Sequence, residues 1–255
     1  GLAQALEVVD SKVVTESSGP LGMLSVVASP SVPFRHAPGL SLNARGIPPE
    51  QLGVFTDADA LSAINRFDGG FDRLHYLADV VAALPYVLLD GPGVLVLGGG
   101  AGSDALLALY HGARRVDVVE LNPQMTQLVT DTHAGFAGHV YDDPRVVVHT
   151  KEARGFVARS DRKFDLVHIA LLDSFGASGA GVHALNESYV YTVQALQEYM
   201  AHTAPGGFVA ITRWIRLPPR DSLKLFATAV AALRESGVDE PEKSLVLVRS
   251  WNTSL

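Results

Sequence analysis

The stretch VLVLGGGAGSDALLAL, residues 94–109, decides how this chain is read. Val94–Leu97 is apolar throughout, the pattern of a strand covered on both faces. It runs straight into Gly98, Gly99, Gly100, Ala101 and Gly102, and Ser103–His111 then reads as a helix. Glycine lets the backbone turn tightly and lets a ligand approach with no Cβ in the way. The helix that follows offers free N–H groups and the positive end of its dipole. This order predicts a nucleotide or carboxylate site at the carboxyl edge of the strand. A glycine-rich turn without a ligand is the plainer alternative.

On the C-terminal side the alternation continues. Strands are expected at Arg115–Glu120, Arg145–His149, Phe164–Ala170, Gly207–Thr212 and Ser244–Ser250. Helices are expected at Pro123–Thr132, Glu152–Arg159, Glu187–His202 and Asp221–Glu235. Apolar strands alternating with helices imply a parallel sheet covered on both faces. On the N-terminal side, Phe71–Leu84 carries apolar residues at helical spacing and is expected to end at Pro85. Before it, short β-type runs at Leu6–Val9, Lys12–Thr15, Leu21–Ala28 and Leu52–Thr56, broken by Pro and Gly, suggest a small antiparallel sheet. The expected organisation is a β-region over residues 1–70 and a Rossmann-like nucleoside-binding catalytic domain over 71–255, its C-terminal strand truncated.

Glu120 ends the strand VDVVE, 20 residues after Gly100. An acid there is placed to accept hydrogen bonds from both hydroxyls of a ribose; a solvated strand-end carboxylate is the bland alternative. Gly100–Ala105 also satisfies a loose dinucleotide fingerprint, which keeps a nicotinamide or flavin enzyme in play.

Composition narrows the classes. The 255 residues are 47% hydrophobic and 18% charged, against a usual charged share of about 25%, so a sizeable core is affordable and disorder is not expected. A net charge of −7 argues against a nucleic-acid-binding face. With no cysteine there is no disulfide, thiolate metal site or Cys nucleophile. The nine His show no i, i+4 pair of the metal-binding type, so no metal is expected. No uncharged apolar run reaches the ~18 residues of a membrane helix. The opening GLAQALEVVD lacks a basic n-region and reads as an internal start rather than a signal peptide. Ser174, Ser178 and His183 lack the G-x-S-x-G elbow of a hydrolase.

Taken in order, GGGAGSD, VVELNP, DPRVVVHTKEARGFV, KFDLVHIALLDSFG and APGGFVAITRW resemble the spermidine synthase (polyamine aminopropyltransferase) family, a branch of the class I S-adenosylmethionine-dependent methyltransferase fold. The resemblance covers roughly Thr15 to Trp251 and is weaker in the N-terminal part. The run LLDSFGASGAGVHALNESYVYT is most similar to synthase-like domains fused to membrane segments in bacteria. That likeness implies a cytoplasmic domain with membrane segments outside this chain.

The resemblance implies the following roles. Gly98, Gly99, Gly100, Ala101, Gly102 and Asp104 line the nucleoside, with Glu120 and Leu121 at the ribose. Glu152 and Ala153 stand where an Asp-Gly pair holds the adenine. Asp173 takes the proton of the attacking amine, and Tyr76, Asp79, Ser174 and Phe175 meet the acceptor. Two acids of the family pattern fall on Ala101 and Ala170, which puts an ordinary diamine site in question, and the Gln expected on the N-terminal hairpin is not evident in FTDADALSAI.

Asp173 can also be argued on its own chemistry. A carboxylate beside an ammonium holds the cation and accepts its proton as the amine attacks a sulfonium carbon, where alignment matters more than covalent catalysis. Capping a loop turn with Ser174 is the alternative. The expected activity is aminopropyl transfer from decarboxylated S-adenosylmethionine to an amine, in a homodimer. Methyl transfer from S-adenosylmethionine to a small molecule and a silent nucleoside-binding domain remain open.

Overall fold

The computed structural model describes residues 1–172, 189–215 and 217–255. A short helix α1 (Leu2–Leu6) precedes a meander of four antiparallel strands, β1 (Lys12–Gly19), β2 (Gly22–Ala28), β3 (Gln51–Thr56) and β4 (Ala60–Asn65). After two 3-10 turns, His75–Asp79 and Val81–Ala83, and helix α2 (Leu84–Val87), the parallel part begins. It runs β5 (Gly93–Leu97), α3 (Ser103–Tyr110), β6 (Arg115–Glu120), α4 (Pro123–Gln127), β7 (Val146–Thr150), α5 (Ala153–Ala158), β8 (Phe164–Ile169), α6 (Val193–Ala201) and β9 (Thr203–Ile211). A two-residue strand β10 (Arg213–Trp214), helix α7 (Arg220–Glu235) and strand β11 (Thr253–Ser254) complete the described elements.

The five-stranded sheet has the order β7-β6-β5-β8-β9 and every pairing in it is parallel. The chain leaves β5 toward β7, then crosses back to β8, so the strand order reverses beside β5. Ligands of open α/β sheets bind at the carboxyl ends of the strands at such a reversal. Strand β5 is apolar throughout because both its faces are covered. Val94 and Val96 join a core with α3 and the N-terminal sheet, while Leu95 and Leu97 join one with Val157, Leu196, Tyr199 and Ala232. The N-terminal meander shares the first of these cores through Leu24, Val26, Leu52, Val54 and Ile64, so it packs as a lid on the α3 side.

The α/β architecture with an antiparallel N-terminal sheet is as expected, and several elements differ. Leu6–Val9 is not a strand: Leu2–Leu6 is helical, and Val9 is 71% exposed with no strand to pair. Strand β4 was not expected, because the turn before it uses Asp57 and Ala58 at positive φ instead of glycine. The helix expected over Phe71–Leu84 breaks into 3-10 turns because Val80 is extended and bridges to Leu40. Pro85 does not end a helix; it sits in the first turn of α2, where its missing N–H leaves nothing unpaired. The helix from Pro123 passes into a π-turn over Leu128–Thr132. Of the helix expected over Glu187–His202, the described part is helical at Tyr189 and Val190, is interrupted by a turn at Tyr191 and Thr192, and resumes as α6 at Val193, capped by the Thr192 hydroxyl, which accepts from Ala195 N at 3.1 Å. Ser244–Ser250 is not a strand: Val246 is 78% exposed, and only Arg249 bridges back, to Ser254.

Candidate functional site

The glycine loop stands at the carboxyl end of β5. Gly98 N and Gly99 N donate to Val119 O of β6, at 2.9 and 3.1 Å, which folds the loop over the neighbouring strand. Gly99 packs so closely there that a Cβ would lie 2.2 Å from Val118 Cγ1. Gly102 forms the N-terminal boundary of α3 at φ +91°, a left-handed conformation that favours glycine. Tyr141 braces the loop from outside, its hydroxyl donating to Gly99 O at 3.1 Å and Gly100 O at 3.3 Å.

Glu120 closes the loop on the β6 side. Its carboxylate accepts from Gly100 N and from Asn122 N, each at 2.8 Å. Burial raises its pKa, and the backbone N–H groups of Asn122, Gly100 and Leu121 only partly offset this. Leu121 is 39% exposed beside it. Further along the same edge, Glu152 caps α5, accepting from Arg154 N at 2.8 Å and Gly155 N at 2.6 Å, and Ala153 is the first residue of that helix.

On the lid side a chain of polar groups joins the two sheets. Gln51 Nε2 and the Tyr76 hydroxyl both donate to Asn65 Oδ1, at 2.8 and 2.9 Å. Asn65 Nδ2 donates to Ser103 Oγ at 3.0 Å, and Ser103 Oγ donates to Ala63 O at 3.0 Å. Ala101 N reaches Ser62 Oγ at 3.4 Å. Gln51, Ser62, Asn65 and Ser103 had no signal in the sequence, since each acts through a partner on another element.

Asp104, in the first turn of α3, faces β8. His168 Nε2 lies 3.7 Å from its Oδ1, and His168 Nδ1 is 2.9 Å from the Tyr86 hydroxyl. Burial raises the pKa of Asp104, with His168 opposing, and burial holds His168 below the ordinary imidazole value. A histidine inside the apolar run FDLVHIA is the one sequence signal that would have found this pair.

The expected site residues are therefore gathered only in part. Gly98, Gly99, Gly100, Ala101, Gly102, Glu120 and Leu121 share the loop edge, and Tyr76 is buried behind it. Asp79 lies apart: its carboxylate accepts from Arg45 N at 3.1 Å, and it lines a separate cavity of about 1160 Å³ whose walls include Arg35, Arg66 and Arg73. Asp173, Ser174, Phe175, Ser178, His183 and Glu187 lie outside the described residues. Among the described residues no three His, Asp or Glu side chains gather as a metal site, and no helix is long and apolar enough to cross a membrane.

With this geometry in hand, comparison with known proteins is decisive for the family. The model of the spermine/spermidine synthase domain matches residues 77–204, just over half of the chain. The chain belongs to the spermine/spermidine synthase domain family. The matched span runs from the turn that carries Tyr76 to the start of β9, and so contains the glycine loop, Glu120 and Asp104. Among curated relatives, polyamine aminopropyltransferase 2 of Pseudomonas aeruginosa is 27% identical over 119 residues, 46% of this chain and 32% of that protein. The polyamine aminopropyltransferase of Streptococcus pneumoniae serotype 4 is 31% identical over 84 residues, 32% of this chain and 29% of that one. The chain thus spans about a third of the length of these curated relatives. A crystal structure of spermidine synthase in complex with the transition-state analogue AdoDATO superposes with TM-score 0.57 at 14% identity, covering 88% of this chain and 63% of that one. The spermidine synthase of Thermotoga maritima gives TM-score 0.55 at 14% identity with the same coverages. These likenesses establish the shared fold.

Proposed function

We propose that this domain transfers an aminopropyl group from decarboxylated S-adenosylmethionine to an amine. The observation that carries the reading is the junction of Glu120 with the glycine loop. The acid ends β6 and is tied to Gly100 N at 2.8 Å, so acid and loop form one rigid edge at the sheet's reversal point. That arrangement suits a nucleoside whose ribose hydroxyls donate to Glu120 while the loop backbone lies along the sulfonium side chain. The names of the relatives support an amine as acceptor. Glu152 and Ala153, at the start of α5, stand where the adenine would be held.

The chemistry needs no covalent intermediate. The amine nitrogen, once deprotonated, attacks the methylene carbon bound to the sulfonium. A C–N bond forms, the C–S bond breaks, and the electron pair leaves with sulfur as the neutral thioether of 5′-methylthioadenosine. The proton lost by the amine goes to a carboxylate, a role we assign to Asp173 from the sequence alone. Because the sulfonium is already activated, the protein's task is to hold nitrogen, carbon and sulfur in line.

The test is a thermal-shift titration with decarboxylated S-adenosylmethionine, 5′-methylthioadenosine, S-adenosylmethionine, S-adenosylhomocysteine and NAD, followed by product analysis with an amine panel. A ligand that binds only the native state raises the melting temperature. The expected result is a shift with the first two and formation of methylthioadenosine with an aminopropylated amine. A shift only with S-adenosylmethionine and S-adenosylhomocysteine, or binding without turnover, overturns the proposal.

A further inference from the structure

Asp104 and His168 form an incomplete pair. Among the described residues, the carboxylate of Asp104 receives no hydrogen bond, and the buried His168 Nε2 has no hydrogen-bond partner. They face one another across 3.7 Å, too long for a hydrogen bond between them. His168 is 1% exposed, whereas the Asp104 side chain is 28% exposed, so the pair is closed at the imidazole and open at the carboxylate. Its place follows from register: His168 pairs with Val96 of β5, and Asp104 stands in the first turn of α3, just beyond the glycine loop. An orphaned acceptor of this kind is costly unless something completes it.

The surroundings select what that is. Among the described residues, the titratable groups near enough to Asp104 to feel its charge are Tyr76, Tyr86, Tyr141 and His168, whose pKa burial lowers. None is a cation, so the carboxylate charge is uncompensated and a cation is favoured. Two protein ligands are too few for a dedicated metal cage. A primary ammonium supplies positive charge and several N–H donors on one atom. One donor serves Asp104 Oδ1. A second serves the lone pair of His168 Nε2 once the two side chains part to admit the ammonium, a lone pair available when Nδ1–H donates to the Tyr86 oxygen at 2.9 Å.

We propose that Asp104 and His168 bind one ammonium group of the acceptor amine, with Tyr86 fixing the imidazole tautomer. The inference rests on the reading of the domain as an amine aminopropyltransferase and names the residues that recognise its acceptor.

The experiment is calorimetric titration of the full chain with 1,4-diaminobutane, with 1,4-butanediol as the uncharged control, in the presence and absence of 5′-methylthioadenosine. Wild type is expected to bind the diamine and not the diol. Asp104→Asn is expected to weaken diamine binding at least about tenfold, the loss of a charge-assisted hydrogen bond, with methylthioadenosine affinity unchanged within about twofold. In ¹⁵N spectra of the wild-type protein, diamine should shift His168 Nε2 as an acceptor while Nδ1 stays protonated. That readout survives if Asp104→Asn fails to fold. Nucleoside binding with no diamine binding, or diamine binding insensitive to Asp104→Asn with no shift at His168, overturns this inference and spares the nucleoside site. Diamine binding that depends on Asp104, without nucleoside binding, supports the ammonium site and sinks the proposed donor instead.

Discussion

Two carboxylates, one buried and one partly exposed, lie close in sequence and are treated in opposite ways. Asp117, in the middle of β6, is 1% exposed and held by Arg115 at 2.9 Å, Arg162 at 2.7 Å and His149 at 3.0 Å. Burial alone would raise its pKa, but these three partners prevail and hold it below the ordinary carboxylate range. Asp104 has no such partners among the described residues, and burial raises its pKa. Glu120 stands between them: burial raises it, and backbone N–H groups answer only in part. Asp117 is completed by the protein, and its charge belongs to the fold. Asp104 and Glu120 keep unmet capacity at one sheet edge, as expected of groups whose partner arrives from outside.

If that contrast is real, the three acids should separate in mutation. Glu120→Gln should give the largest effect, a loss of roughly a hundredfold in methylthioadenosine affinity, because charge-assisted hydrogen bonds from ribose hydroxyls are worth about 1.5–3 kcal/mol each. Calorimetric titration measures it, and an affinity within twofold of wild type would remove Glu120 from the nucleoside site. Asp117→Asn should leave ligand binding intact and lower stability by about 2 kcal/mol in urea unfolding. That is less than the usual 3–5 for breaking a buried pair, because Arg115 and Arg162 are nearly half exposed and can be rehydrated. The sign with pH follows from the depressed pKa. Asp117's contribution is present above its unfolded value, near pH 4, and is lost as pH falls through the lower folded value. The stability gap between wild type and Asp117→Asn should close in acid; a gap independent of pH would place the effect in packing.

How far the sequence carries the reading follows the same division. Strands β5 and β6 are legible within a residue, because burial demands apolar runs, unbroken in β5 and interrupted in β6 only by Asp117, and the glycines mark where β5 must stop. Glu120 is legible because an acid stands at the carboxyl end of that strand, 20 residues after Gly100. Strand β4 is hidden because Asp57 and Ala58 take positive φ without glycine. The stretch 71–84 is misread because Val80 answers to Leu40, a partner far away in sequence. The lid-side network is invisible for the same reason: Asn65 and Ser103 meet across 38 positions. The sequence groups Asp104 with the glycine loop, and only the fold turns it toward β8. Local chemistry shows in a sequence; an unmet hydrogen bond appears only when the elements are assembled.

The smallest predicted effect sharpens the contrast most. Asp104→Asn should not destabilise the ligand-free protein. Its raised pKa means that the folded state binds the proton more tightly than the unfolded chain does. The charged form therefore works against folding, and stability is lost as pH rises from the unfolded value through the folded one. Asparagine keeps the shape and removes that charge, so at neutral pH the variant should be equal in stability or firmer by up to about 1 kcal/mol, a rise of roughly 2–4 °C in Tm for a domain of this size. The difference should vanish below pH 4, opposite in sign to the Asp117 gap. Thermal unfolding of both variants across pH 3–8 gives the comparison directly. If Asp104→Asn instead destabilises the protein as Asp117→Asn does, the carboxylate of Asp104 belongs to the fold, and the pair it makes with His168 is no place left open for a ligand.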